Sequence, residues 1–147
     1  MRPTRLARQR FLRAAVIMSK TGFIGLDVWQ KARVLAKDIY VLTRSFPREE
    51  LFGLTQQMRR AAVSVLCNIA EGRGRGSRAE YRRFVLIARG SVFELQAQII
   101  IACDVGYLAE STAESLGKRT AAIAQMLSGV VRSIDRSPNR ESRIPNR

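Results

Sequence analysis

Apolar residues recur at intervals of three and four along four successive segments of this chain, and no stretch alternates as a half-buried strand would. That pattern restricts the chain to an all-α fold. In the first segment Val28, Trp29, Ala32, Leu35, Ala36, Ile39, Tyr40 and Leu42 follow helical spacing, with Lys31, Arg33, Lys37 and Asp38 on the other side. Asp27 can cap its start, and Phe46-Pro47 stops it, because the residue before a proline avoids the helical region. After a connector from Pro47 to Gly53, Thr55 is the expected N-cap of a second helix reaching about Glu71. Gly72-Arg73-Gly74-Arg75-Gly76 ends that helix. Ser77-Arg78-Ala79-Glu80 is a capping-box pattern opening a third helix, which lasts to about Val105, before Gly106. Ser111-Thr112-Ala113-Glu114 is a second such box. The stripe of the fourth helix, Leu116, Thr120, Ile123, Leu127, Val130 and Ile134, continues to Ser137-Pro138. The simplest architecture is an antiparallel up-down four-helix bundle over residues 23–135, between a basic N-terminal extension (1–22) and a basic C-terminal tail (136–147).

Two of these helices are apolar beyond a single stripe. Ala61-Ala62-Val63-Ser64-Val65-Leu66-Cys67 covers most of the circumference of the second helix, and Ile99-Ile100-Ile101-Ala102-Cys103 does the same in the third. A helix apolar all round must be buried all round, whereas four helices alone leave each one wet face. Association with other chains follows. A homo-oligomer is expected, with a permanent protein partner as the alternative and Val63, Leu66 and Ile100 as interface candidates. Gly90-Ser91 is expected to let two helices approach closely, and Trp29 and Tyr40 to sit in the core.

Composition narrows the chemistry. The chain has 147 residues, 46% of them apolar, which is enough for one core. Its lack of histidine excludes every imidazole-dependent triad and the Glu-x-x-His di-iron sites of helix bundles. Cys67 and Cys103 alone make neither a zinc site nor a disulfide framework. The expectation is a non-enzymatic cytoplasmic protein with no cofactor and no metal. No apolar run approaches a membrane span on this reading, and no membrane partner is expected.

The formal net charge is +14, and it is unevenly placed. Residues 1–20 carry six basic groups and no acid, and residues 136–147 are net +3. This first stretch reads as a dispensable tail, with Met18 as the natural first residue. It fits a secretory signal poorly because Arg13 interrupts Leu12–Met18, and it is poor in serine for a targeting helix. In the middle of the chain, residues 59–89 hold eight arginines against Glu71 and Glu80. Arg59, Arg60, Arg73, Arg75, Arg78 and Arg82 are therefore the candidate contacts for nucleic-acid phosphates. The glycine-rich loop and the start of the third helix offer backbone N–H groups to an anion. The loop follows a helix and lacks the lysine of a nucleoside-triphosphate motif, so it is not a phosphate loop of that kind. Arg83, Ile87, Gly90 and Glu94 fall near one stripe, and Asn68, Glu71, Arg83 and Glu94 are expected to share a structural polar network.

Specific motifs occur in order: Val28-Trp29-Gln30-Lys31-Ala32, Arg59-Arg60-Ala61-Ala62-Val63-Ser64, Asn68-Ile69-Ala70-Glu71-Gly72 and Gly74-Arg75. Glu80-Tyr81, Arg83-Phe84, Ala88, Gly90-Ser91 and Glu94-Leu95 follow. Over about residues 23–135 the chain resembles the bacterial four-helix-bundle family of the 23S ribosomal RNA intervening-sequence protein. The resemblance implies a homopentameric barrel of four-helix subunits with no established enzymatic activity. More distantly, the fold is similar to the accessory variability proteins of diversity-generating retroelements, which bind nucleic acid and a reverse transcriptase. The chain departs from the family pattern at Leu66, where proline is common, at Cys67, where Ser or Ala is usual, and at Gln96-Ala97.

Overall fold

A computed structural model of the chain describes residues 4–7, 9–10 and 22–137. The expected start at Met18 and the C-terminal tail beyond Ser137 lie outside the described residues. Four long helices follow one another: α1 (Asp27–Leu42), α2 (Leu54–Gly74), α3 (Arg78–Asp104) and α4 (Glu110–Arg136). Short 3-10 turns at Thr43–Ser45 and Arg48–Glu50 join α1 to α2. No strand occurs among the described residues, so the all-α reading holds.

The helix starts correct three expectations. Leu26, not Asp27, is the N-cap of α1; Asp27 lies in the first turn, where its charge suits the helix dipole, and pairs with Lys31 at 3.4 Å. Thr55 is buried inside α2 rather than capping it. The preceding 3-10 turn delivers the Glu50 carboxylate to the Leu54 N–H at 2.8 Å, which leaves Thr55 nothing to cap. Helix α4 begins at Glu110 after Ala109, ahead of the Ser111 box, with no side-chain cap. The box at Ser77 is real: its Oγ accepts the Glu80 N–H at 3.1 Å.

Helix α2 also runs past Glu71 through the first glycines, and only Gly76, at φ +76°, turns the chain. Gly72 is buried for a different reason. A Cβ there would stand 2.8 Å from Phe84 Cβ and 3.1 Å from Tyr81 Cδ2, so this residue sets how closely α2 and α3 meet. Gly90 does not do so, since a Cβ there would meet nothing within 4 Å. The close approach occurs one residue on, where Ser91 and Ser64 hydroxyls share a 2.9 Å hydrogen bond. Gly72→Ala should therefore melt lower than the native chain. The overpacking cost of about 1–3 kcal/mol outweighs the roughly 1 kcal/mol that alanine gains over glycine in a helix. Gly90→Ala should show only the gain.

Cross-helix contacts fix the packing. Trp29 Nε1–H donates to the Leu66 carbonyl at 3.1 Å, tying α1 to α2. Arg89 donates to Ser128 Oγ at 3.1 Å and Gln96 to Thr120 Oγ1 at 3.2 Å, tying α3 to an antiparallel α4. Leu35, Ile39, Met58, Val65, Ile69, Val85, Val92, Leu95, Leu116, Ile123 and Leu127 form the shared core. Each such side chain, fully buried, contributes about 1.5–3 kcal/mol of transfer free energy. Trp29 is buried as expected, but Tyr40 is exposed, its ring lying 4.9 Å below the Arg59 guanidinium. The helical register turns Tyr40 away from Leu35 and Ile39.

One expectation about length is overturned. By length and composition α3 is apolar enough to cross a membrane, with an 18-residue window of mean hydropathy 1.5. Only 39% of that window is buried within the chain. Val85, Ala88, Val92, Leu95, Ile99 and Ala102 face the core, while Phe93, Ile100 and Ile101 are 53%, 60% and 52% exposed on the outside. The helix is thus apolar on two faces and covered on one.

Candidate nucleic-acid interface

Gly22 lies beside Arg73, Gly72 against Tyr81 and Phe84, and Arg82 pairs with Asp135, which brings the start of α1, the end of α2, the start of α3 and the end of α4 together. Arg73, Arg75, Arg78, Arg82 and Arg83 gather there, joined by Arg132 and Arg136 from α4. Arg132 was not singled out in the sequence, because nothing in a linear reading brings it next to residue 78, and Arg136 was counted there with the C-terminal tail, whereas α4 runs through it. Arg59 and Arg60 do not belong to this cluster. They lie on α2 about 20 Å from Arg73 at 1.5 Å per residue, so the continuous patch expected from Arg59 to Arg89 is split. Arg59 is engaged where it is: Nε donates to Thr43 Oγ1 at 2.9 Å, and its guanidinium lies over Tyr40. It ties α2 to the end of α1, while Arg60 is exposed.

Within the cluster the arginines are held rather than loose. Arg73 lies 5.3 Å over the Tyr81 ring, and Phe84 carries Arg75 at 5.1 Å and Arg83 at 5.4 Å. Arg75 pairs with Glu71 at 2.6 Å, and Arg83 reaches Glu80 at 3.5 Å. Arg82 donates through Nε to Asp135 Oδ1 at 2.8 Å and through Nη2 to Oδ2 at 3.4 Å. Arg78 donates to the Ile134 carbonyl. Hydrogen bonding to Glu71, then its charge, raises the Arg75 pKa; Asp135 does the same for Arg82. Burial raises the Tyr81 pKa, against the opposing pull of Arg73. Exposed ion pairs of this kind are worth about 0–1 kcal/mol, so a phosphate can replace the carboxylate partners. The guanidinium planes remain supported by the rings beneath them.

The glycine-loop site is smaller than the sequence suggested. Gly72 and Gly74 are inside α2, Arg75 N–H is taken by the Glu71 carbonyl at 3.1 Å, and Ser77 takes the Glu80 N–H. What this turn presents to the outside is therefore mainly its arginine side chains.

Nor does one chain bring together the expected polar network. Asn68 Nδ2 donates to the Ser64 carbonyl at 2.8 Å and to its Oγ at 3.0 Å, Glu71 pairs with Arg75, and Glu94 accepts from Gln98 at 3.2 Å. Arg83 and Glu94 are about 16 Å apart along α3, too far to bond within the chain. The real cross-link at this level is Ser64 with Ser91. Two small hydroxyl residues on the facing stripes of α2 and α3 were its signal in the sequence. Of the interface candidates, Val63 and Leu66 are half-buried and Leu66 packs against the core, whereas Ile100 projects outward.

One groove lies between α1 and α4, with a volume of about 490 Å³, lined by Val34, Ala122 and Ile123 with Lys31, Lys118 and Arg119 at its edge. Those cations are paired with Asp27, Glu114 and Asp38 at 3.4, 2.9 and 2.8 Å, so the groove adds little to an anion site. Among the described residues no group of three or more His, Cys, Asp or Glu side chains is placed to hold a metal ion.

Among curated proteins none matches this chain. A crystal structure of a protein of unknown function from the S23 ribosomal protein family of Bacteroides thetaiotaomicron has the same fold, with a TM-score of 0.67 at 23% identity. The match covers 71% of this chain and 95% of that one. The family described as 23S rRNA-intervening sequence protein matches residues 25–129, across all of α1, α2 and α3 and most of α4. On that match, spanning the aromatic-supported arginine cluster and the two-faced α3 helix, the chain belongs to the 23S rRNA-intervening sequence protein family.

Proposed function

We propose that this chain is a non-enzymatic, antiparallel four-helix bundle that assembles with copies of itself and binds RNA or DNA through phosphate contacts. The observation that carries the reading is the collection of arginines at the α2–α3 end. Residues 22–31, 71–83 and 132–136 hold eight basic against four acidic side chains. At the opposite end, residues 37–50 and 104–119 hold five basic against six acidic. A positive end of this kind attracts a polyanion and orients it. The outer face of α3 supports assembly, since Phe93, Ile100 and Ile101 form an apolar surface that a second copy would cover. Five-fold closure is the assembly that the family resemblance implies. The same face supports a second reading, an adaptor that docks a nucleic-acid-processing protein.

Fluorescence anisotropy with unrelated RNA and DNA strands at rising salt tests the first reading. Log affinity should fall linearly with log salt by about 0.7–0.9 per phosphate contact, nearly alike for all sequences. Binding that is absent, or indifferent to salt, would leave the adaptor reading in its place.

A further inference from the structure

We propose that copies of this chain join ridge to groove, the outer ridge of α3 on one copy seating in the cleft between α1 and α4 of the next. The proposal rests on the reading that the chain assembles with itself, and it names the two surfaces that meet.

The cleft follows from how the helices are tied. Trp29 and Tyr40 bind α1 to α2, whereas towards α4 the first helix has the Asp38–Arg119 ion pair at 2.8 Å. Arg119 borders two hollows, one on either side of that pair. The first, of about 490 Å³, is lined by Val34, Ala122 and Ile123, and the second, of about 380 Å³, by Val41, Leu42 and Leu116. Val34 and Val41 are each half exposed. They stand seven residues apart on the α1 side, about 10 Å at 1.5 Å per residue.

The α3 ridge repeats that spacing. Phe93 and Ile100 are also seven residues apart and exposed, and Ala97 between them is exposed and small. Two large side chains at this interval match the two hollows, and Ala97 leaves room for the Asp38–Arg119 pair between them. Charge favours the same fit. Residues 90–105 hold two acidic side chains and no basic one. Among the described residues neither of the two, Glu94 and Asp104, meets a cation. The stretches that border the cleft, residues 27–41 and 111–126, hold five basic against three acidic. Two ridges packed face to face would instead set acid against acid, an arrangement that like-charge repulsion opposes.

Helices α2 and α4 each pack against both α1 and α3, so α3 stands diagonally across the bundle from α1. A chain therefore cannot fill its own cleft with its own ridge. Each copy offers one surface of each kind. Such a heterologous contact closes into a ring or runs on, and does not stop at a two-fold pair.

Two variants test this by mixing. The ridge variant carries Phe93→Glu and Ile100→Glu, and the cleft variant carries Val34→Glu and Val41→Glu. All four positions are exposed within the chain, so each variant should fold. Alone, each should scatter light as a single chain, because a carboxylate without a partner would be buried in the contact. Mixed in equal amounts, they should form a pair of about twice the chain mass and nothing larger. The intact ridge of the cleft variant then seats in the intact cleft of the ridge variant, and the other two surfaces are spoiled.

A single contact lacks the avidity of a closed ring, so a second measurement keeps the native surfaces. A chain with Val34→Cys and Ala97→Cys, and with Cys67→Ser and Cys103→Ser, is treated with a short bismaleimide. The two new thiols lie across the diagonal and out of each other's reach within one chain, so the products should form a ladder of linked chains. With Ala97→Cys but not Val34→Cys, single chains alone should remain. A cleft variant that stays assembled would overturn the ridge-to-groove contact and leave self-assembly standing. Linkage through Ala97→Cys alone would do the same, by setting ridge against ridge, as would loss of the mixed pair together with the ladder. Where the mixed pair is too weak to survive, the ladder carries the decision. A native protein that stays a single chain at every concentration would overturn self-assembly itself.

Discussion

Replacing Phe93 and Ile100 together with glutamate should turn an assembled protein into a folded monomer of 16.5 kDa. In the single chain both side chains point to solvent, 53% and 60% exposed, so the glutamates meet water and α3 keeps its core face of Val85, Val92, Leu95 and Ile99. In an assembly that covers this face, the same glutamates are buried without partners. Each carboxylate then costs several kcal/mol, and the apolar transfer energy of the side chain it replaces is lost, about 1.5–3 kcal/mol each. Summed over every interface of a ring, that exceeds what holds subunits together at micromolar concentration, where association is worth about 8 kcal/mol. Light scattering should give several times the chain mass for the native protein and one chain mass for the variant, with helical circular dichroism unchanged. A native monomer, or an assembled variant, would remove α3 from the interface. Val63→Glu is a poorer probe, because Val63 is half-buried and its loss strikes the fold together with any interface.

The sequence made α3 legible as a helix but not as a two-faced one in detail. Periodicity names the residues that share a stripe, and the stripe of Val85, Val92, Leu95 and Ile99 is plain. Which of Ile99, Ile100 and Ile101 faces inward depends on where α2 and α4 lie, and that is a tertiary fact. The caps show the same boundary. Ser77 acts on Glu80 within its own turn, so the motif was readable; Thr55 loses its role to Glu50, whose approach depends on the 3-10 turn before it. Glycine was the least transparent residue. In sequence Gly72 looks like the start of a loop and Gly90 like a packing point, and their environments are the reverse. The arginine site was half legible for a similar reason. Residues 73–83 are close in sequence and close in space, but Arg59 and Arg60 diverge from them along a straight helix while Arg132 and Arg136 return to them from another.

That geometry sets the last expected result. Arg73→Ala, Arg75→Ala and Arg83→Ala combined should cut the salt dependence of nucleic-acid binding by about two to three units of log–log slope, one step of roughly 0.7–0.9 for each phosphate released. Arg59→Ala with Arg60→Ala, at the other end of α2, should leave the slope nearly unchanged. The comparison separates place from charge, because both variants lower the net charge but only one empties the end where the arginines gather. The three chosen residues touch neither Ile134 nor Asp135, so α4 keeps its last turn. Their removal costs the Tyr81 ring one cation and the Phe84 ring two, about 0.5–1 kcal/mol for each at an exposed site, too little to unfold the bundle. Losses should be alike for unrelated sequences, since phosphates carry no base identity. Drops in proportion to the charges removed, three against two, would mean that binding follows net charge alone, with no located site. A drop only for the Arg59 and Arg60 variant would place the nucleic acid along the α1–α2 side, beside Tyr40 and Thr43. A triple variant that loses its assembled mass would place these arginines between subunits, where Glu71 and Glu80 of the same chain already show the kind of partner they would find.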